Sequence, residues 1–303
     1  MRTTLQATGI GPIAYRALKN KTGRAGEVAN SFPKSFYIRT FNDELVFVTG
    51  LPVKSPITIN LDSPVDFDHL AKPRGRVFLN GTDLRIGDDL AIDLHGVPTQ
   101  PNRPELSASK IGQLREALYI GTAILTIVDT YQSVLDHASI AYRGAEKFFR
   151  TGILSLRDTE GSEVFLETAK SIVGLGTGFT PSGDDVLGGF LCTYNSLSRT
   201  VGYHRVMMDF QILKKNTNWI SAKLVDYMQH GVCDDQVAQL VNSAASADED
   251  EFVLALETLL PRGHASGIDI STGVVLAVSL LRDLANNQHE TETIIRRLGL
   301  SYK

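Results

Sequence analysis

Hydroxyl and carboxylate side chains crowd behind three alternating glycines in Gly174-Leu175-Gly176-Thr177-Gly178-Phe179-Thr180-Pro181-Ser182-Gly183-Asp184-Asp185. Glycine reaches positive φ without strain and lets a ligand approach the backbone amides. Thr180-Pro181 fits the N-cap and first position of a following helix. Alternatively Ser182 caps, with Asp185 returning the hydrogen bond three residues on. Either start puts unpaired amides and the positive end of the helix dipole beside the loop, which favours an anion. One cap does not need Thr177, Thr180, Ser182, Asp184 and Asp185 together, so the loop reads as a ligand site. It is not a P-loop, because the lysine is missing. Nor does it follow a strand, as a dinucleotide fingerprint would.

A second turn, Arg262-Gly263-His264-Ala265-Ser266-Gly267-Ile268-Asp269, repeats the pattern. Ser182-Gly183-x-Asp185-x-x-x-Gly189 aligns with Ser266-Gly267-x-Asp269-x-x-x-Gly273. A glycine deep in a helix costs about 1 kcal/mol relative to alanine, so Gly189 and Gly273 predict two helices that pack closely and aim their N-termini at one pocket. Gly176, Thr177, Gly178, Thr180, Ser182, Gly183, Asp185, Arg262, Ser266, Gly267 and Asp269 are the expected ligand-binding residues. Asp185 and Asp269 are expected to cap their helices, which leaves Asp184 as the working carboxylate. An imidazole suits proton transfer or a hydrogen bond to a substrate oxygen, and His264 supplies one in the second turn. His264 and Asp184 are the catalytic candidates. No cofactor is required. Mg²⁺ on Asp184, Asp185 and Asp269, in a hydrolase or phosphate-ester enzyme, is the alternative, because the ion takes oxygen ligands. A non-catalytic subunit that binds a metabolite is a third reading.

The elements around these turns fall into an α+β arrangement with a compositional switch near residue 105. Residues 1–104 form the expected β-rich domain. Short runs of β-formers recur between turn signals: Ser35–Phe41, Leu45–Val48, Ile57–Leu61, Arg76–Leu79, Leu84–Ile86 and Leu90–Leu94. Asn80-Gly81 predicts a type I′ hairpin turn. Such strands suit a small barrel or sandwich. His95–Pro104 carries Pro98, Pro101 and Pro104 and reads as a linker. Residues 105–303 form the expected helical domain. Its first helices run from Ser107 through Val128 and around Val134–Phe149. A third, Glu163–Val173, ends at Gly174, and later ones start near Asn218, Asp234, Asp248, Gly267 and His289.

Bulk composition excludes several classes. The net charge is −4, from 30 basic and 34 acidic residues, whereas a nucleic-acid binder shows a basic excess or face. Cys192 and Cys233 form neither a disulfide framework nor a metal-ligand spacing. The first residues lack the apolar core of a signal peptide, and the most apolar run, Gly273–Leu281, is too short to span a bilayer. A cytoplasmic location is therefore expected, with no membrane or nucleic-acid partner.

The string Gly-Leu-Gly-x-Gly-x-Thr-Pro-Ser-Gly-Asp-Asp resembles the signature of the AllH-like family, and Gly263-His264-Ala265-Ser266-Gly267-x-Asp269 resembles its second signature, with Ala265 where glycine is frequent. The resemblance implies a subunit acting in oxamate carbamoyl transfer during anaerobic allantoin breakdown, a step of purine nitrogen metabolism, with other subunits of a carbamoyltransferase complex as partners. The implied ligand is a small anion, carbamoyl phosphate or an oxamate-like carboxylate. Preorganised amides would stabilise charge on its oxygens, and His264 would polarise the carbamoyl carbonyl.

Overall fold

The computed structural model describes residues 2–19, 22–99, 143–158, 160–244, 249–287 and 289–297. The chain divides into two compact units, Met1–Arg103 and Pro104–Lys303.

The first unit is a closed barrel. Its strands are β1 (Thr3–Ile10), β2 (Gly23–Phe32), β3 (Ser35–Thr40), β4 (Leu45–Thr49), β5 (Thr58–Leu61), β6 (Arg76–Asn80), β7 (Asp83–Ile86) and β8 (Leu90–Asp93), in the order β1-β5-β4-β3-β2-β6-β7-β8. Alternation makes them: in β6, Val77 and Leu79 point inward while Arg76, Phe78 and Asn80 face water. Phe36, Ile38, Val46, Val48, Ile59 and Phe67 fill the interior. Of the two candidate β architectures, the barrel is the one formed. Closure depends on β1, whose first half runs parallel to β8 (Thr3↔Leu90 to Gln6↔Asp93) and whose second half pairs antiparallel with β5. Sequence reasoning placed no strand there, because Thr3–Ile10 alternates weakly and is strand by virtue of the two edges it seals. It also missed the helix α1 (Pro12–Leu18) that follows.

The β6–β7 turn lies one residue later than expected. Asn80 pairs with Asp83, so Gly81-Thr82 is the loop. Gly81 alone has positive φ, +63°, which is the type II′ pattern with glycine first rather than type I′. The start of the expected linker is tied back to the barrel, since Ile10 donates to the Pro98 carbonyl at 3.2 Å. The rest of that linker, the residue-105 switch, the helix expected from Ser107 and most of Val134–Phe149 lie outside the described residues.

The second unit is helical. An irregular helical stretch (Phe148–Gly152, then Ile153–Ser155) is followed by α2 (Ser162–Ala169), α3 (Ser182–Leu197), α4 (Phe210–Asn216), α5 (Trp219–Gln229), α6 (Asp235–Ala244), α7 (Glu249–Leu259), α8 (Ser266–Asn286) and α9 (Glu290–Arg297). The Val134–Phe149 helix was expected to end at Phe149, yet the chain stays helical to Ser155. The starts expected at Asn218 and Asp234 are real caps: Asn218 accepts from the Ser221 amide, and Asp234 from those of Gln236 and Val237. The short α4 carries no periodic signal and was missed. Helix α3 is buried from Gly183 to Asn195 and α8 from Gly267 to Asp283, the pattern of helices enclosed on every side. Phe165, Phe190 and Tyr194 stack through the core, with centroids 5.4 and 5.8 Å apart. No helix among the described residues is long and apolar enough to cross a membrane.

Candidate functional site

Helices α3 and α8 cross at their glycines. A Cβ on Gly189 would lie 2.3 Å from the Ile270 carbonyl oxygen; one on Gly273 would lie 2.1 Å from that of Val186 and 2.7 Å from the Phe190 nitrogen. The two backbones touch, as the shared frame predicts, and their N-terminal turns meet: the hydroxyls of Thr180 and Ser266 are 3.0 Å apart. Gly188 faces elsewhere, against the Met228 side chain of α5.

The capping assignments come out differently from the sequence expectation. Pro181 and Ala265 occupy the N-cap positions, neither helix has a side-chain cap, and Ser182 and Ser266 are the first helical residues. The carbonyls of Pro181 and Ala265 instead accept the amides of Asp184 and Asp185, and of Ile268 and Asp269. Asp185 and Asp269 thus stand fourth in their helices, one place beyond the position from which a capping box returns its bond. Asp184, expected to be free of such work, is fully engaged. Its Oδ1 accepts from the Gly174 amide at 2.7 Å, and its Oδ2 accepts from Thr217 Oγ1 at 2.5 Å and Ser221 Oγ at 2.6 Å. It pins the start of the glycine loop to the start of α5. Burial still holds its carboxyl above the ordinary value, against those three donors.

A third helix N-terminus, which sequence reasoning did not foresee, joins the loop. Asn218, the cap of α5, donates from Nδ2 to the Phe179 carbonyl at 2.8 Å. Thr217, Asn218 and Ser221 lie more than thirty residues from the loop they hold; the local signal shows Asn218 as a cap and nothing of its second partner.

The glycine loop is open on its outer side. Gly174, Gly176 and Gly178 have φ of +75°, +111° and +104°, and Gly176, Thr177 and Gly178 are exposed. The amides of Gly176, Thr177, Gly178 and Ser182 meet no acceptor among the described residues. Gly183 and Gly267 contribute differently from what was expected. Their amides close the two turns, onto Leu175 and Arg262 carbonyls at 2.8 and 3.0 Å, and a Cβ on either would strike the carbonyl of Ile172 (1.9 Å) or Leu259 (2.1 Å). These two glycines let backbones pack.

In the second turn, Arg262 binds Asp234, the cap of α6. His264 stands exposed behind Gly263, whose φ is +62°. Among the described residues no group of three or more His, Cys, Asp or Glu side chains is placed to hold a metal ion, and Asp184 turns away from Asp185 and Asp269 toward α5. A cavity of about 290 Å³ lies apart from the turns, between α2 and α4, with Leu166, Met208 and Ile212 among its lining residues.

Asp185 is 8% exposed, and burial is the main cause that pushes its carboxyl up to about 7; Asp269 adds to the rise, while Ser266, Thr180 and Arg262 oppose it. The folded chain therefore keeps a proton on Asp185 that the unfolded chain releases near 4. Stability falls as pH rises through that window and levels off above 7. Asp184 acts in the same direction. Asp185→Asn is expected to raise the melting temperature by several degrees at pH 8 and to change it little at pH 5; an equal shift at both values would contradict this account.

The segment that builds this junction is similar to a known family. Residues 172–278 match the family model described as oxamate carbamoyltransferase subunit AllH. The AllH match begins beside the glycine loop and ends within α8, so it spans both turns, the third helix N-terminus and the glycine crossing. No curated protein and no solved structure matches the chain significantly.

Proposed function

We propose that this chain is a carbamoyltransferase-related subunit in allantoin and purine nitrogen metabolism, and that its glycine loop binds a small anionic substrate, carbamoyl phosphate or an oxamate-like carboxylate. One observation carries the reading: the amides of the exposed residues Gly176, Thr177 and Gly178, with that of Ser182, meet no acceptor among the described residues, at the start of α3. Free amides in a glycine-rich turn beside a positive helix end favour an anion. In this reading Thr177 and Thr180 add hydroxyls, and His264, exposed in the second turn, polarises a carbamoyl carbonyl. Asp184 acts as a positioning residue, through Gly174. The AllH family name supports the reaction class and, because it denotes a subunit, a complex with other chains. The site requires no cofactor in this reading.

Thermal stabilisation by carbamoyl phosphate, phosphate and oxamate tests it. A ligand at a hundredfold excess over its dissociation constant stabilises by about 2.7 kcal/mol. Gly176→Ala should abolish the shift, since alanine is strained at that φ and its Cβ would press on the Ser182 amide at 3.0 Å. No shift with any of the three anions would refute the reading.

A further inference from the structure

We infer that the cavity between α2 and α4 is a docking groove for a basic amphipathic helix of another protein chain. An apolar side chain of that helix anchors in the groove, and lysine or arginine side chains on its flanks meet the rim. The inference is independent of the anion-binding reading. The floor is apolar: Leu166 comes from α2, Ile212 from α4, and Met207 and Met208 from the segment that leads into α4. Met207 keeps 37% of its surface exposed. Methionine is flexible and polarisable, so a pair of them can repack around an incoming side chain. The volume of about 290 Å³ lies at the lower end of the roughly 300–1,000 Å³ of small-molecule pockets. It suits side-chain anchors better than a large cofactor.

Two buried amide side chains hold the methionine segment in place. Asn195 of α3 accepts from the Val206 amide and donates to the Val206 carbonyl, both at 2.8 Å. Gln229 of α5 accepts from the Met208 amide at 2.8 Å and donates to the Met208 carbonyl at 3.1 Å. Both side chains are buried. The backbone on either side of Met207 is therefore fixed before anything docks, which lowers the ordering cost of binding.

Charge selects the occupant. Glu163 and Glu167, one turn apart on α2, and Asp209 at the start of α4 border the floor. Lys170, the one cation among the described lining residues, is bound to Glu167. Glu163 and Asp209 make no ion pair among the described residues. The acidic excess of the chain also lies wholly in residues 104–303. An acidic helix would be repelled here. A basic amphipathic one gains apolar burial on the floor and ion pairs at the rim.

Fluorescence anisotropy on the full chain tests the inference, with a labelled amphipathic helix of leucine and lysine as the probe. A peptide of the same composition in scrambled order controls for charge alone and should bind at least roughly tenfold more weakly. Met207→Ser should weaken the ordered probe roughly tenfold, the effect of losing one buried apolar contact. Reversing the rim with Glu163→Lys and Glu167→Lys together should abolish binding of the leucine–lysine helix and admit a leucine–glutamate helix instead. Glu163, Glu167 and Met207 are exposed, so these variants should melt with the wild type. No binding of the ordered probe, equal binding of the scrambled peptide, or binding untouched by the substitutions overturns the inference. Light scattering of the chain alone distinguishes a second copy as the occupant. A wild-type dimer that the rim reversal turns into a monomer would also overturn the inference.

Discussion

Gly273→Ala should lower the unfolding free energy of the helical unit by about 3 kcal/mol, although it adds one methyl group to a helix. In an open helix the same change stabilises by about 1 kcal/mol, because alanine loses less backbone entropy. Here the new Cβ would sit 2.1 Å from the Val186 carbonyl oxygen and 2.7 Å from the Phe190 nitrogen. Both are backbone atoms of α3 and cannot rotate away. The helices must separate, opening gaps along a seam of buried side chains, and overpacking of that kind costs 1–3 kcal/mol or more. Gly188→Ala is the matched comparison. Its Cβ would meet the sulfur of Met228 at 2.7 Å, the flexible part of an adaptable side chain, so its effect should lie close to zero. Urea denaturation of the two variants measures the contrast. Equal effects would mean that the crossing is looser than the backbone contacts describe.

Asp184→Ala should destabilise by about 3 to 5 kcal/mol, because it strips the acceptor from three buried or half-buried donors at once: the Gly174 amide and the hydroxyls of Thr217 and Ser221. Each unsatisfied donor costs about 1–3 kcal/mol. The loop loses its tether to α5, so anion binding should disappear with the stability. Asp184→Asn, which keeps one acceptor oxygen, should recover part of both. Its neighbour is expected to behave in the opposite way, since Asp185→Asn removes a carboxylate whose ionisation the fold resists. Chemical denaturation of the adjacent pair at pH 8 would therefore give shifts of opposite sign. Shifts of the same sign would remove the distinction between a tethering and a proton-holding aspartate.

That distinction marks how far the sequence was legible. The repeat of Ser-Gly-x-Asp with a glycine one turn later identified the right two helices and their contact, because a glycine inside a buried helix has few causes other than close packing. The same repeat misassigned the aspartates. Capping-box spacing is a local pattern, and α3 and α8 begin one residue earlier than it implies, with Pro181 and Ala265 at the N-cap positions and both aspartates one place too far along. The partners of Asp184 come from Thr217 and Ser221, set beside it by tertiary packing alone. In the barrel, β6 was readable from its alternation, while β1 was not: its residues become a strand through the two neighbours that need it.

The placement of β1 also bears on how the protein is made. Thr3–Ile10 is made before both of its partners, β5 and β8, and β8 ends only at Asp93. Until β5 is made β1 has nowhere to dock, and until β8 is made the sheet keeps two raw margins of unpaired backbone, the kind that templates aggregation. Pairing of such long sequence separation is slow to form. β1 thus works as a latch that shuts last, and a chain without Thr3–Ile10 would have a barrel unable to close.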